Sequence, residues 1–349
     1  MLSNPINEKL LPAPKNGGFR MDDYFVWCGS VIQGEDGKYH MFASRWPKAL
    51  GFGWQWLFNS EIVRAISDTP EGPYTFQEVV MERRHRSYFD AMNQHNPSIK
   101  YWKGTYYLYY FGTTFGGPVP EAGEFISPER AIEVWNRKRI GVAVSTSVFG
   151  PWERMDQPLL EPRTPGHWDC TITTNPSAVI MPDGTTYMIY KSREYAHAPL
   201  QLGIVKAPHP AGPFERLSDS PILQFDDGNI HVEDPYLWYQ DDQFHVLMKD
   251  DFKNNGGGIT GEWGAGVYAT SEDCVHWKLH PEPLSYTRDV VWDDGTVTKQ
   301  SNLERPNLLF HDGKPTHLFL ATGNGDEPWD IQGVTWNMVI PLKTISNQE

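Results

Sequence analysis

Glu233 and Asp234 stand side by side in front of Pro235, where an apolar-aromatic run begins. Polar pairs precede three other prolines in the same way: His95-Asn96 before Pro97, Thr174-Asn175 before Pro176, and Glu304-Arg305 before Pro306. Trp27-Cys28 hold the equivalent place before Gly29, which replaces the proline. Seven residues ahead of three of these anchors stand Asp22, Asp90 and Asp169. Arg45-Trp46, Lys191-Ser192-Arg193-Glu194 and Lys249-Asp250-Asp251 close the second apolar run of their units. Two carboxylates in different environments have their pKa values pushed apart, so that one stays ionised while the other keeps a proton. Glycosidic cleavage needs that division, with an acid for the leaving oxygen and a carboxylate to activate water or attack the sugar. Asn, His, Arg and Lys around such a pair would bind hydroxyls, and a Trp face would stack on a ring. The same residue types also have plain structural uses. Acids before a proline accept turn N–H groups, Glu-Arg neighbours form salt bridges, and early aspartates cap turns.

These pairs need a frame that brings them together. The anchors Gly29, Pro97, Pro176, Pro235 and Pro306 are 68, 79, 59 and 71 residues apart, and each opens a strand, a polar turn and a second strand. A shared tail follows, with Gly-Pro-aromatic turns at Pro73-Tyr74, Pro151-Trp152 and Pro213-Phe214, and Val275-His276-Trp277 in the fourth copy. Four short strands repeated five times predict an all-β fold, a five-bladed β-propeller of four-stranded antiparallel blades. The blades would span about 19–85, 86–160, 161–222, 223–290 and 291–349, forming one domain. The innermost strand of each blade lines the axis, so the polar pairs converge at one mouth of the channel. Residues 1–18 read as an irregular leader, and the segment before Gly29 is expected to complete a blade where the ring closes. One insertion, residues 116–139, breaks the rhythm. Ser127 as N-cap, Pro128 at the first helical position, and Ala131, Val134 and Trp135 on one face predict a short helix over one end of the propeller, rimming the site.

Composition narrows the partners. With 30 basic against 44 acidic residues the net charge is −14, and no Lys/Arg-rich run interrupts it, which argues against nucleic acid and anionic membranes. The 14 Trp and 16 Tyr suit a neutral or weakly charged saccharide. Cys28, Cys170 and Cys274 are odd in number and scattered, unlike a disulfide framework or a zinc site. No motif of fixed ligand spacing appears, so no cofactor is expected; an axial Ca²⁺ held by oxygen ligands is the one ion this chemistry would admit. The opening residues lack the apolar core of a signal peptide, and no apolar run reaches membrane-spanning length. A cytoplasmic location is expected, or export if a signal has been removed. The oligomeric state is not legible.

The repeats carry a resemblance. NPSIKYWKGTYYLYY from Asn96 to Tyr110 is similar to the blade openings of five-bladed propeller glycosidases, nearest to glycoside hydrolase family 43 and its relatives. The resemblance implies a general base from an Asp opening blade one, an Asp before the blade-three proline that tunes the acid, and a general acid Glu two residues before the blade-four proline. Glu233 matches the acid. Cys28 stands where the base belongs and Asn175 where the modulator belongs, so the chain resembles a divergent member.

The residues therefore predict a glycoside hydrolase with Glu233 as general acid. Asp22 is expected as base or nucleophile, with Asp90 and Asp169 positioning it or tuning the acid. Asp234, Glu304, Arg305, His95, Asn96, Asn175, Arg45, Trp46 and Lys191 would bind an oligo- or polysaccharide. Two alternatives use the same residues: a phosphorylase, with Arg45, Lys191, Arg193 and Arg305 around phosphate, and a sugar-binding propeller without catalysis.

Overall fold

The computed structural model describes residues 4–225, 228, 230–252 and 257–343. Four antiparallel sheets of four strands follow in chain order. Blade one comprises β1 (Tyr24–Gln33), β2 (Tyr39–Pro47), β3 (Glu61–Ser67) and β4 (Thr75–Val79). Blade two has β5 (Asn93–Trp102), β6 (Thr105–Thr113), β7 (Arg139–Ser145) and β8 (Glu153–Arg154). Blade three has β9 (Thr174–Ile180), β10 (Thr186–Ser192), β11 (Gln201–Ala207) and β12 (Glu215–Arg216). Blade four has β13 (Ile230–Gln240), β14 (Gln243–Phe252), β15 (Gly266–Ser271) and β16 (Lys278–Tyr286). A hairpin, β17 (Asp289–Val291) and β18 (Val297–Lys299), leads to β19 (Glu304–His311), β20 (Lys314–Gly323) and β21 (Thr335–Pro341). The innermost strands β1, β5, β9, β13 and β19 touch one another in sequence, and β19 returns to β1, closing the five-bladed ring.

The fifth sheet has three strands of its own, and the leader finishes it. The main chain of Phe19 exchanges both hydrogen bonds with Asn337 of β21, and Leu11 N–H donates to the Pro341 carbonyl. Asn337 also accepts the Gly29 N–H at 2.8 Å, tying β1 to the last blade. The expected closure is therefore present. The leader, expected to be irregular and without a core role, nevertheless buries Ile6 and Ala13 against Trp292, Leu303 and Met338 of the last blade. Its two apolar anchors are too widely spaced to read as a periodic pattern.

Apolar side chains from facing sheets fill the gaps between blades. Tyr109 and Val142 of blade two meet Met188, Tyr190 and Val205 of blade three, all fully buried; each such side chain contributes about 1.5–3 kcal/mol. The insertion folds as expected. Helix α2 (Pro128–Trp135) is capped by Ser127, whose hydroxyl accepts the Arg130 N–H, and it buries Ala131 and Val134. It packs on the short α1 (Trp56–Asn59) and on Phe58 and Phe115, so both helices sit over the same end of the propeller.

Candidate functional site

Each innermost strand carries the same irregularity. Cys28, Asn96, Asn175, Asp234 and Arg305, the residues just before the anchors, all have left-handed φ between 54° and 58°. Pairing with the neighbouring strand slips at each of these points, as a β-bulge does. Left-handed backbone costs a non-glycine residue about 1 kcal/mol or more, least for Asn and Asp. Here it aims the five side chains at the axis, where they bond to one another. Cys28 Sγ donates to Asn96 Oδ1 at 2.9 Å, and Asn96 Nδ2 donates to Asn175 Oδ1 at 2.9 Å. Asn175 Nδ2 donates to Asp234 Oδ1 at 3.0 Å, where Arg305 also lies at 3.0 Å. Arg305 and Cys28 influence each other's charge across the remaining gap, so the five side chains form a belt around the axis. Burial pushes the Cys28 thiol up to about 12 against the pull of Arg305, so it keeps the proton that it donates.

The belt divides the axis. Below it, Ser98, Ser177, Tyr236 and Asn307 line a narrow continuation of the channel. Above it lies a cavity of about 140 Å³. Its polar wall is made by His95, Glu233 and Glu304 from the inner strands, with Lys191 from the end of β10 and Lys138 from the end of the insertion. Trp27, Trp46, Phe52, Trp56, Trp135 and Trp329 form the aromatic remainder. The belt forms the floor of this cavity, and Trp56 and Trp135 of the two helices line it.

Three carboxylates meet here in different surroundings. Glu233 Oε1 lies 3.2 Å from Lys191 Nζ, and its Oε2 lies 3.3 Å from Lys249 Nζ. Burial alone would raise its pKa, but the two ammonium groups outweigh that and hold it well below the usual carboxylate range. Glu304 accepts from the same Lys249 at 2.7 Å. Burial raises its pKa, with Asp234 and Glu233 adding to the rise and Lys249 opposing it; the net direction is upward. Asp234 belongs to the belt and is held by Arg305. His95 is buried and lies near Arg305 and Lys138, which keeps its imidazole neutral; Nδ1 sits 2.6 Å from Ser60 Oγ.

Nine expected site residues thus share the pocket: Glu233, Asp234, Glu304, Arg305, His95, Asn96, Asn175, Trp46 and Lys191. Four lie elsewhere. Asp22 is exposed on the bend before β1 and does not line the cavity. Arg45 turns away to Glu61 at 2.8 Å and stacks over Tyr24 and Phe76. Asp90 and Asp169 are fully buried at the blade edges, each in a clamp of one Tyr and two Arg. Tyr110 Oη donates to Asp90 at 2.7 Å, with Arg84 at 2.6 Å and Arg154 at 3.5 Å. Tyr190 Oη donates to Asp169 at 2.7 Å, with Arg216 at 2.6 Å and Arg163 also bound. Their shared offset marks a repeated structural clamp, not a catalytic register. The tyrosine and arginine bonds overcome the cost of burial and lower the Asp169 pKa. Asp169→Asn is expected to cost about 3–5 kcal/mol, because two arginines lose their buried counter-charge; urea unfolding measures it. The lowered pKa makes the wild-type contribution complete above the unfolded aspartate value, and it fades as pH falls towards the folded one. The variant therefore loses least, relative to wild type, in acid.

Lys138, Phe52, Trp56 and Trp329 were not foreseen. Their loops only reach the axis by folding back over the blades, and nothing in local spacing announces that. Among the described residues, His231, Glu233 and Asp251 could also meet a metal ion, their ligand atoms lying within 4.8 Å of one another. Glu233 is already engaged there by two ammonium groups.

No protein-family model and no curated protein sequence matches the chain. Solved structures do. A family 117 glycoside hydrolase, Zg3597 of the marine bacterium Zobellia galactanivorans, is 16% identical with a TM-score of 0.63, over 96% of this chain and 89% of that one. BT0996, in an RGII complex, reaches a TM-score of 0.67 at 15% identity, over 99% of this protein and 93% of that one. A thermostable family-43 glycoside hydrolase gives 0.60 at 13% identity, over 95% and 93%. At such identities the likeness is one of fold, and the chain is a divergent five-bladed β-propeller resembling the glycoside hydrolases of families 43 and 117.

Proposed function

We propose that the protein is a glycoside hydrolase that takes the end of a saccharide into the axial pocket and cleaves it with Glu233 and Glu304. The observation that carries this is the shared Lys249, which contacts two carboxylates of the pocket whose pKa values move in opposite directions. Glu233, ionised by Lys191 and Lys249, acts as the base or nucleophile. Glu304, the carboxyl more ready to hold a proton, protonates the leaving oxygen. This reverses the role that resemblance gave to Glu233, and the reason is local: two lysines face it. It also removes the need for an acid at position 28, because the Cys28 thiol is engaged in the belt. The Trp rings provide faces for the sugar, and His95 and Asn96 offer neutral partners for hydroxyls.

The belt also favours a second reading. Cys28 and Asn175 occupy the places where resemblance expects two catalytic carboxylates, which is what a propeller that only binds sugar would show. A reducing-end assay over α- and β-linked oligosaccharides, with and without phosphate, separates the cases. Phosphate-independent release supports the hydrolase, release only with phosphate makes the enzyme a phosphorylase, and sugar-induced stabilisation without release makes it a binding module.

A further inference from the structure

The charges of the pocket balance except at one place. Glu233 has Lys191 and Lys249, Glu304 shares Lys249, and Asp234 has Arg305. Lys138 is 2% exposed and lines the cavity, yet among the described residues no carboxylate lies within ion-pair distance of it. Its ammonium instead sits 3.2 Å from the centre of the Trp135 ring, 4.6 Å from Trp56 and 4.9 Å from Phe111. Arg193 lies on the same indole, 5.6 Å from its centre. It donates to Asn136 Oδ1 at 2.7 Å, while its buried Nε has no acceptor among the described residues. The Trp135 indole N–H is also buried without an acceptor. Among the described residues, Lys138 and Trp135 of the pocket wall, with Arg193 beside the same indole, therefore carry three donors, two of them cationic, and no anion receives them. Burial, Lys191, Arg193 and Arg305 all depress the Lys138 pKa and outweigh the pull of Glu233, the direction expected of a cation lacking its counter-charge.

We infer that this corner is an anion subsite, and that the saccharide taken by the pocket carries a negatively charged ring substituent, a uronate carboxylate, which pairs with Lys138 while Arg193 adds its charge from beside Trp135. The inference rests on the saccharide reading above and sharpens it, since a neutral sugar would leave both cations unpaired in a dry site. Aromatic rings hold the ammonium by cation–π attraction until the anion arrives. The same chemistry would accept a free oxyanion such as inorganic phosphate or sulfate, so the source of the charge has to be resolved by experiment.

Isothermal titration with methyl glycosides of glucuronic and galacturonic acid, beside those of glucose and galactose, measures the preference directly. Inorganic phosphate and sulfate alone are titrated in parallel. Uronates are expected to bind roughly tenfold tighter or more than their neutral parents, as a charge-assisted pair in a dry pocket gives. Lys138→Met, which keeps the aliphatic stem, is expected to abolish that difference, and Lys138→Gln to do the same. Neither should lower the melting temperature of the free protein, because an unpaired buried charge is removed; a merely structural lysine would show the opposite. Equal binding of uronate and neutral sugars overturns the inference, as does a uronate preference that survives both substitutions. Phosphate or sulfate binding that depends on Lys138, without uronate preference, also overturns it and assigns the corner to a free oxyanion. Cleavage is judged separately by turnover, so a hydrolase of neutral sugars would sink this inference alone. Uronate preference without turnover would sink only the catalytic reading.

Discussion

Glu233→Gln is expected to abolish turnover, by about 10³-fold or more in kcat, with any leaving group. Glutamine keeps the shape of the side chain and removes the charge that Lys191 and Lys249 stabilise. Whether Glu233 activates water or attacks the anomeric carbon, the amide can do neither. Glu233→Ala offers a sharper check. Azide entering the vacated space would attack the anomeric carbon while the leaving sugar takes its proton from Glu304, restoring turnover and yielding a glycosyl azide. Rescue by azide in Glu233→Ala, and none in a Glu304 variant on a natural leaving group, would fix the two roles.

Glu304→Gln should produce the second large effect, and a selective one. With a sugar leaving group the loss is expected to be about 10²–10⁴-fold, the usual worth of a positioned acid. With a nitrophenolate leaving group, which departs without protonation, the loss in kcat/KM, which reports the step that breaks the glycosidic bond, should nearly vanish. The pH profile follows from the same assignment. The Glu304 pKa is raised by burial and by Asp234 and Glu233, against Lys249. An acid must be protonated to act, so the rate on natural substrates falls as pH rises through that raised value. Glu233 is held low, so its ionised form persists well into acid and sets only the acidic limb. Nitrophenyl substrates should lack the alkaline limb. If Glu304→Gln loses equally in kcat/KM on both leaving groups, Glu304 is not the acid.

Much of the fold was legible because each blade repeats its most demanding residue. A polar residue before proline four times over, and Cys28 before Gly29 in the first copy, marks the left-handed bulge that turns each inner strand to the axis. Asn96, Asn175 and Asp234 are types that accept this backbone readily. Cys28 and Arg305 are not, and they are held there by the belt, which only the closed ring assembles. Glu233, Asp234 and Glu304 were found for the same reason, as positions fixed to the axis by the repeat. Their electrostatics were not. Lys249 lies in the second half of β14 and reaches Glu304 across a blade boundary, a separation of 55 residues. Asp90 and Asp169 misled because a repeated offset indicates repeated surroundings, whatever those are. Their arginine partners, Arg84, Arg154, Arg163 and Arg216, come from the strands and loops at the outer edge of the blades. Lys138 was hidden at the end of an insertion whose short charged stretch, Arg137 to Arg139, gives no sign of which member is buried.

The most direct test of the central claim is a time course of reducing-end release by the wild type and Glu233→Gln, side by side, in phosphate-free buffer on a uronate-capped oligosaccharide panel. The pocket chemistry predicts steady release by the wild type and none by the variant, with both proteins melting cooperatively. Release at the wild-type rate by Glu233→Gln would contradict the account, because a carboxylate held ionised by Lys191 and Lys249 would then have no part in the cleavage.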